Sequence, residues 1–342
     1  MRFAIVGCGV ISATHSACID GIDGAELVAV ADIVEEKAQK LAQKYGCDYY
    51  VDYHDMLKRD DIDVVNVCVP SGLHHVIAID AMKAGKHVIV EKPMDVTLPA
   101  ADAMLETAYK TGMKMSIISQ HRFDDAMIEV KNAIDSGRLG KLYFGASHTK
   151  WYRSQEYYDS GDWRGTWELD GGGAIMNQSV HYVDLLQYAL GPVDEIYAYT
   201  GTLAHVRIEV EDLAVASVKF KSGALGMIEG STLAWPGLST KLDIYGENGT
   251  VGIENDKLAY WNLKDATEED KHKLSCKQEI KVGAADAAAI SASSHARQIM
   301  DMMDAIKNNR DPKVNGEEGR KPLAVIVALY ESARTGKPVK VS

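Results

Sequence analysis

Residues 3–12, FAIVGCGVIS, join a short β-branched run to a glycine turn and the opening of a helix. Gly7 and Gly9 permit a tight turn and let backbone amides approach an anion at the positive end of the next helix. The spacing is GxGxxG except that Ser12 replaces the third glycine, whose role is close helix-strand packing; a small Ser tolerates that. The next strand, ELVAVAD, ends at Asp32, twenty residues beyond Ser12, where a carboxylate can accept hydrogen bonds from both ribose hydroxyls of a dinucleotide. Capping of the following helix is the other reading of Asp32. Ile33, Val34, Glu35 and Glu36 add no cation for a 2′-phosphate and two more negative charges, so the expected cofactor is NAD rather than NADP.

Outward from that turn, apolar runs alternate with helical segments: a helix through Glu35 to Tyr45, DVVNVCV, His74 to Ala84, HVIVEK, a helix near Leu98 to Thr111, and KMSII. This is the βαβ rhythm of an α/β, doubly wound parallel sheet covered on both faces, a Rossmann domain expected over residues 1–122. After Phe123 the rhythm changes. A helix near Ala126 to Ser136, a strand near Tyr143 to Lys150 and an aromatic stretch precede DLAVASVKF, ALGMIEGST, TKLDIYG and TVGIE, with glycine-containing turns between them. Such turns predict antiparallel hairpins, so residues 123–342 are expected to form an α+β domain on an open, mainly antiparallel sheet. The final helix, expected at about 319–335, stops at Gly336 with Pro338 beyond.

The 342 residues carry 37 basic and 49 acidic side chains, a net charge of -12, which opposes binding to a phosphate backbone. No run approaches the ~18 apolar residues of a membrane span. Gly7, Gly9, Thr14 and His15 interrupt what superficially resembles a signal peptide, so a cytoplasmic enzyme is expected. Cys8, Cys18, Cys47, Cys68 and Cys276 form no CxxC pair and read as reduced, buried thiols. No His/carboxylate set has metal-ligand spacing, and no metal is expected.

Glu91, Lys92 and Pro93 fall at the carboxyl end of the fifth strand, the edge where ligands of such sheets bind, and Pro93 holds Lys92 in extended geometry. In WRGTWELDGGGAIMNQSVHYVDLLQYALGP, three glycines precede a helix on which Asn177, His181 and Asp184 are spaced i, i+4, i+7 and are expected to share a face. A solvated polar stripe is the alternative.

Together, Gly7 to Ser12, Asp32, EKP at 91–93, QHRF at 120–123, GRLGK at 137–141, the GGG and NQSVHYVDLL elements, YGENGTVGIE at 245–254 and GRKPLAVIVALYESARTGKPV at 319–339 resemble the Gfo/Idh/MocA oxidoreductases over essentially the whole chain. The resemblance implies that Lys92 and His181 serve hydride transfer. It implies cofactor contacts from Val10, Ile11, the Pro70 to His74 loop, Glu91, Gln120, Trp163 and Arg164, besides Gly7, Gly9, Asp32 and Ile33. Many members have an aspartate where this chain has Asn177, which can orient substrate but cannot relay a proton. His295 stands at the head of HARQIMDMMDAI, as an active-site edge or a helix cap.

Chemically, oxidising a secondary alcohol requires loss of the hydroxyl proton as hydride leaves carbon. With an ordinary pKa near ~6.5, His181 is the expected general base and Lys92 the group that stabilises charge on oxygen, unless burial reverses the two. Within the family, Asn177 and the segment WYRSQEYYDSGDWRGTW look most like the UDP-N-acetylglucosamine or UDP-N-acetylglucosaminuronate 3-dehydrogenases. Trp151, Tyr152, Tyr157 and Tyr158 supply stacking surfaces and Arg153 a guanidinium for a diphosphate; rigid domain packing is the other reading. The alternatives are a dehydrogenase of myo-inositol or another free polyol or sugar, and a non-catalytic NAD-binding sensor, against which the presence of both Lys92 and His181 argues. An uncovered sheet face predicts a homodimer or homotetramer.

Overall fold

The computed structural model describes residues 1–273 and 292–342. They form two compact units, one of residues 1–120 and 292–320, the other of residues 121–273 and 321–342. Cys276 lies outside the described residues.

In the first unit β1 (Arg2–Val6), α1 (Val10–Asp20), β2 (Glu26–Ala31), α2 (Glu35–Tyr45), β3 (Asp48–Tyr50), α3 (Tyr53–Leu57), β4 (Val64–Val67), α4 (His74–Lys83), β5 (His87–Val90), α5 (Leu98–Thr111) and β6 (Met115–Ile117) follow in turn. The sheet order is β3-β2-β1-β4-β5-β6 with every pair parallel. Order therefore reverses between β1 and β4, and the carboxyl ends of those strands flank the ligand crevice of such sheets. Helix signals act locally: the Thr97 hydroxyl accepts from the Ala100 amide at 3.3 Å to cap α5, and Gly112 ends it in a left-handed conformation.

The second unit runs through a 3-10 turn, α6 (Asp125–Asp135), β7 (Leu142–Lys150) and α7 (Gln155–Asp159), then a π-helical segment (Ala174–Ser179) that passes directly into α8 (Val180–Leu190). β8 (Val193–Gly201), β9 (Leu213–Phe220), β10 (Leu225–Ser231), β11 (Thr240–Gly246), β12 (Gly249–Glu254), β13 (Lys257–Leu263) and α9 (Glu268–Lys273) follow. Past the undescribed residues come α10 (Ala292–Lys307), α11 (Gly316–Thr335) and β14 (Val339–Lys340). The eight-stranded sheet has the order β13-β12-β11-β7-β10-β9-β8-β14, antiparallel except for β7 with β10.

Two expectations change. β10 and β11 are not a hairpin: β7 lies between them, and the Trp235-Pro236-Gly237 loop crosses over its end. Gly145 of β7 explains the choice of central strand, because a Cβ there would lie 2.6 Å from Leu190 and 2.9 Å from Leu186 of α8, so the helix seats directly on it. Nor does a single boundary after residue 122 divide the chain. α10 belongs to the nucleotide unit, where Ile299 and Met302 join Phe3, Ile5, Cys18 and Ile19 in one core. The amphipathic face of α10 is buried there, and burial of that size outweighs continuity along the chain. On the second sheet the face opposite α8 stays open, with Tyr199, Val215, Leu225, Met227 and Tyr245 exposed.

Candidate active site

The phosphate turn has the geometry its glycines suggest. Gly7 has φ +94°, and a Cβ there would stand 2.5 Å from the Cys68 carbonyl oxygen. Gly9 caps α1 with no side-chain bond to the first-turn amides, and a Cβ there would meet nothing, so space remains where an anion would sit. The Ser12 hydroxyl donates to the Gly9 carbonyl at 2.6 Å, tightening the turn. The Asp32 oxygens accept from the Cys8 amide at 2.7 Å and the Val34 amide at 2.8 Å, one each, which leaves each oxygen lone-pair capacity for a ribose hydroxyl. Val10 and Ile33, beside the turn and beyond Asp32, are 66% and 88% exposed apolar side chains. These residues fit NAD.

At the end of β5, Glu91 turns inward. Its carboxylate lies 2.7 Å from His15 Nε2 and 3.8 Å from His295 Nε2, and the His15 and His295 rings meet edge to face. Asn66 lies 2.8 Å from the other His15 nitrogen. Burial opposes charge on His15, but Cys68 and Glu91 outweigh it and lift the imidazole to about 10. Burial likewise opposes charge on Glu91, and the two histidines hold the carboxyl well below its ordinary range. The other Glu91 oxygen accepts from the Lys92 amide at 3.1 Å. Beyond Lys92, the Pro93 carbonyl faces His74 Nδ1 at 2.8 Å, while His74 Nε2 faces the Val69 carbonyl at 3.0 Å. Lys92 is thus braced on both sides. His74 is fully buried, and burial pushes its pKa down; its ring serves the loop, and the exposed part of the 70–74 segment is Leu73. His295 lies inside α10 rather than at its cap, and is a buried partner of Glu91. Gln120 is also buried.

In the second unit the glycine run is a packing requirement. A Cβ at Gly172 would collide with the Tyr330 hydroxyl, and one at Gly173 with the Glu211 carbonyl. The Glu211 carboxyl accepts from the Gly173 amide (3.1 Å), the Ile175 amide (2.8 Å) and the Tyr330 hydroxyl (3.0 Å), and burial pushes it up to about 7 despite those donors. It anchors the start of the π-helical segment that carries Asn177.

Of the three, Asn177 stands in the π-helical segment, while His181 and Asp184 follow in the regular turns of α8. Asp184 is buried in a two-bond ion pair with Arg122, at 2.8 and 2.6 Å. Asn177 and His181 stay partly exposed. The Asn177 amide donates to Asp170, whose other oxygen accepts from the Gly165 amide at 2.9 Å. A carboxylate therefore stands beside the residue that lacks one, which spacing could not reveal. His181 meets the His121 ring edge to face, centroids 4.9 Å apart.

Arg153 is buried, donating to the Gln178 carbonyl oxygen at 2.8 Å and lying over Trp151 and Tyr157. Burial lowers its pKa from the usual arginine value. Arg164 stacks on Tyr157 at 4.3 Å and Trp163 at 4.4 Å, and donates to the Tyr157 hydroxyl at 2.7 Å. Two guanidiniums expected to serve different ligands thus share one tyrosine.

Among the described residues two groups have metal-capable atoms within 4.8 Å of one another, His15 with Glu91 and His295, and His121 with Asp124 and Asp256. In each, an imidazole already hydrogen-bonds a carboxylate directly, at 2.7 and 2.6 Å. Cys18 and Cys68 are buried free thiols, while Cys8 and Cys47 are only half-buried; burial pushes Cys8 up to about 12. No described helix is long and apolar enough to cross a membrane.

The oxidoreductase family with an NAD-binding Rossmann fold matches residues 1–119, and the GFO/IDH/MocA C-terminal domain matches residues 127–252. The myo-inositol 2-dehydrogenase of Thermotoga maritima is 26% identical over 100% of this chain and 98% of its own. The scyllo-inositol 2-dehydrogenase (NAD(+)) of Bacillus subtilis is 25% identical over 100% and 96%. Among solved structures, the WlbA dehydrogenase from Bordetella pertussis, in complex with NADH and UDP-GlcNAcA, has a TM-score of 0.89 and 35% identity, covering 100% of this chain and 98% of that one. With both domains matched and a glycine turn that fits the dinucleotide, the chain belongs to the GFO/IDH/MocA oxidoreductase family and is an NAD-dependent oxidoreductase.

Proposed function

We propose that the chain oxidises a sugar secondary hydroxyl, C3 of a UDP-linked amino sugar. The observation that carries this reading is the Arg153-Tyr157-Arg164 cluster, closed by Gln178 next to Asn177. Stacked guanidiniums and aromatic faces suit a uracil and a diphosphate, and exceed what a small neutral polyol needs. Binding energy taken up there, remote from the reacting carbon, orients the hydroxyl. A relative of 35% identity is solved with NADH and UDP-GlcNAcA.

When bound, NAD supplies the hydride acceptor. His181 takes the hydroxyl proton; Lys92 donates a hydrogen bond to the same oxygen and stabilises its developing charge; Asn177 orients the sugar. The product is the 3-keto sugar nucleotide. Arg153 is assigned to the diphosphate, and Arg164, Trp163, Gln120, Pro70 and Ile11 to the cofactor side. The reading includes a cytoplasmic setting and a homodimer or homotetramer formed through the open sheet face, whose Val215, Leu225 and Met227 invite a second copy.

A free-polyol dehydrogenase is the second reading, favoured by the inositol dehydrogenases among the sequence relatives. Initial rates of NADH formation on UDP-N-acetylglucosamine, its uronate and myo-inositol, at equal concentration and with Arg153→Ala alongside, separate the two. Turnover of a nucleotide sugar that Arg153→Ala weakens supports the first; turnover of inositol alone overturns it and leaves the dehydrogenase.

A further inference from the structure

QHRF carries a titratable residue, His121, without a role in the reading above. His121 lies beside Arg122, and both lean on α8: Arg122 through its buried pair with Asp184, His121 through its ring, edge-on to His181 at 4.9 Å and 83°. His121 Nδ1 points at two carboxylates from separate elements, Asp124 at 2.6 Å before α6 and Asp256 at 3.2 Å in the turn between β12 and β13. Asp256 is held there by the Tyr182 hydroxyl, which donates to it at 3.0 Å. Nearby carboxylates favour the charged imidazole, and a second positive charge at that distance from the first is disfavoured.

We propose that His121 is a positioning residue for the base: a cationic imidazole, fixed between Asp124 and Asp256, that makes the adjacent His181 easier to deprotonate than a neutral side chain at 121 would, and so readier to accept the substrate proton. Burial alone would neutralise His121, but Asp256, Asp124 and the more distant Asp184 outweigh it and lift its pKa to about 9. Charged and titratable groups that face it include those three carboxylates from α8, the α6 approach and the β12-β13 turn, the Arg122 guanidinium paired with Asp184, and His181 and Tyr182 of α8. Holding its proton through neutral pH, His121 cannot receive another from His181. It acts by field and by ring contact rather than as a relay. The order of the two groups therefore separates a permanent cation from a working base, an arrangement that sets apart titratable neighbours of like type.

The inference rests on His181 being the base, and its test separates the two. Histidine ring resonances are titrated by NMR in the substrate-free protein with NAD bound. In the unsubstituted chain His121 is expected to stay protonated across the range in which His181 titrates. In His121→Asn the His181 midpoint rises by about one pH unit or more, and in His121→Lys, which restores the charge without the ring, it stays near the original. The acidic limb of kcat/KM for alcohol oxidation moves with it. A His121 that loses its proton at or below the His181 midpoint in the unsubstituted chain overturns the proposal whether or not the variants fold. So does an equal shift in the Asn and Lys variants. Unchanged turnover in His181→Ala would instead remove His181 from catalysis, a separate failure.

Discussion

One cluster in each unit backs a residue assigned to hydride transfer, and the two solve the burial of charge in opposite ways. Behind Lys92, one carboxylate, Glu91, is shared by two fully buried histidines, His15 and His295. Beside His181, one histidine, His121, is shared by two carboxylates, and Asp256 remains 43% exposed on its side chain. The first arrangement is buried on every member and has a single carboxylate; the second has two, one of them partly exposed. A buried charge is tolerable only with its partner, so the first should be brittle and the second tunable.

The largest effect is therefore expected from Glu91→Ala, which strands a charged His15 in the core. It should cost about 3 kcal/mol or more of unfolding free energy in urea, against about 1 kcal/mol for Asp256→Ala. Equal costs would break the contrast. Lys92→Ala and His181→Ala, which remove the supported groups themselves, should each slow single-turnover hydride transfer by ~100-fold or more with NAD binding nearly intact. A variant that keeps its rate is not catalytic.

Asp32→Ala tests the first unit at a carboxylate assigned to a ligand rather than to a histidine. NAD affinity should fall roughly tenfold, measured by fluorescence titration, while preference over NADP narrows, because acceptor and repulsion leave together. Unchanged selectivity would sink that assignment.

The smallest effect is a pH slope. His15 and His121 have folded pKa values of about 10 and about 9, above the ~6.5 of the unfolded chain. Their stabilisation is complete below ~6.5 and is lost as pH rises through the folded values, because the folded state alone holds the protons in between. The urea midpoint should fall from pH 7 to pH 10, and less steeply in His121→Asn. A flat profile would show that neither imidazole is charged.

Much of this was legible in order along the chain. Gly7, Gly9 and Asp32 work within a strand, a turn and the next strand, and the parallel sheet follows from alternating apolar runs, so short-range chemistry and spacing were enough. EKP and the GGG-to-His181 element also announced themselves as motifs. The sequence by itself determined the nucleotide fold, the cofactor class and the segments bearing Lys92 and His181. Tertiary structure alone decided which polar groups meet inside: His15 with Glu91 across 76 positions, Arg122 with Asp184 across 62, Asp170 beside Asn177, and His121 against His181. It also decided that α10 returns to the first core and that β7 divides β10 from β11. The reason is physical: turns and strands are selected by neighbours a few residues away, whereas a buried charge is satisfied by whichever partner the packed chain brings within ~3 Å, and residue spacing carries no record of that pairing.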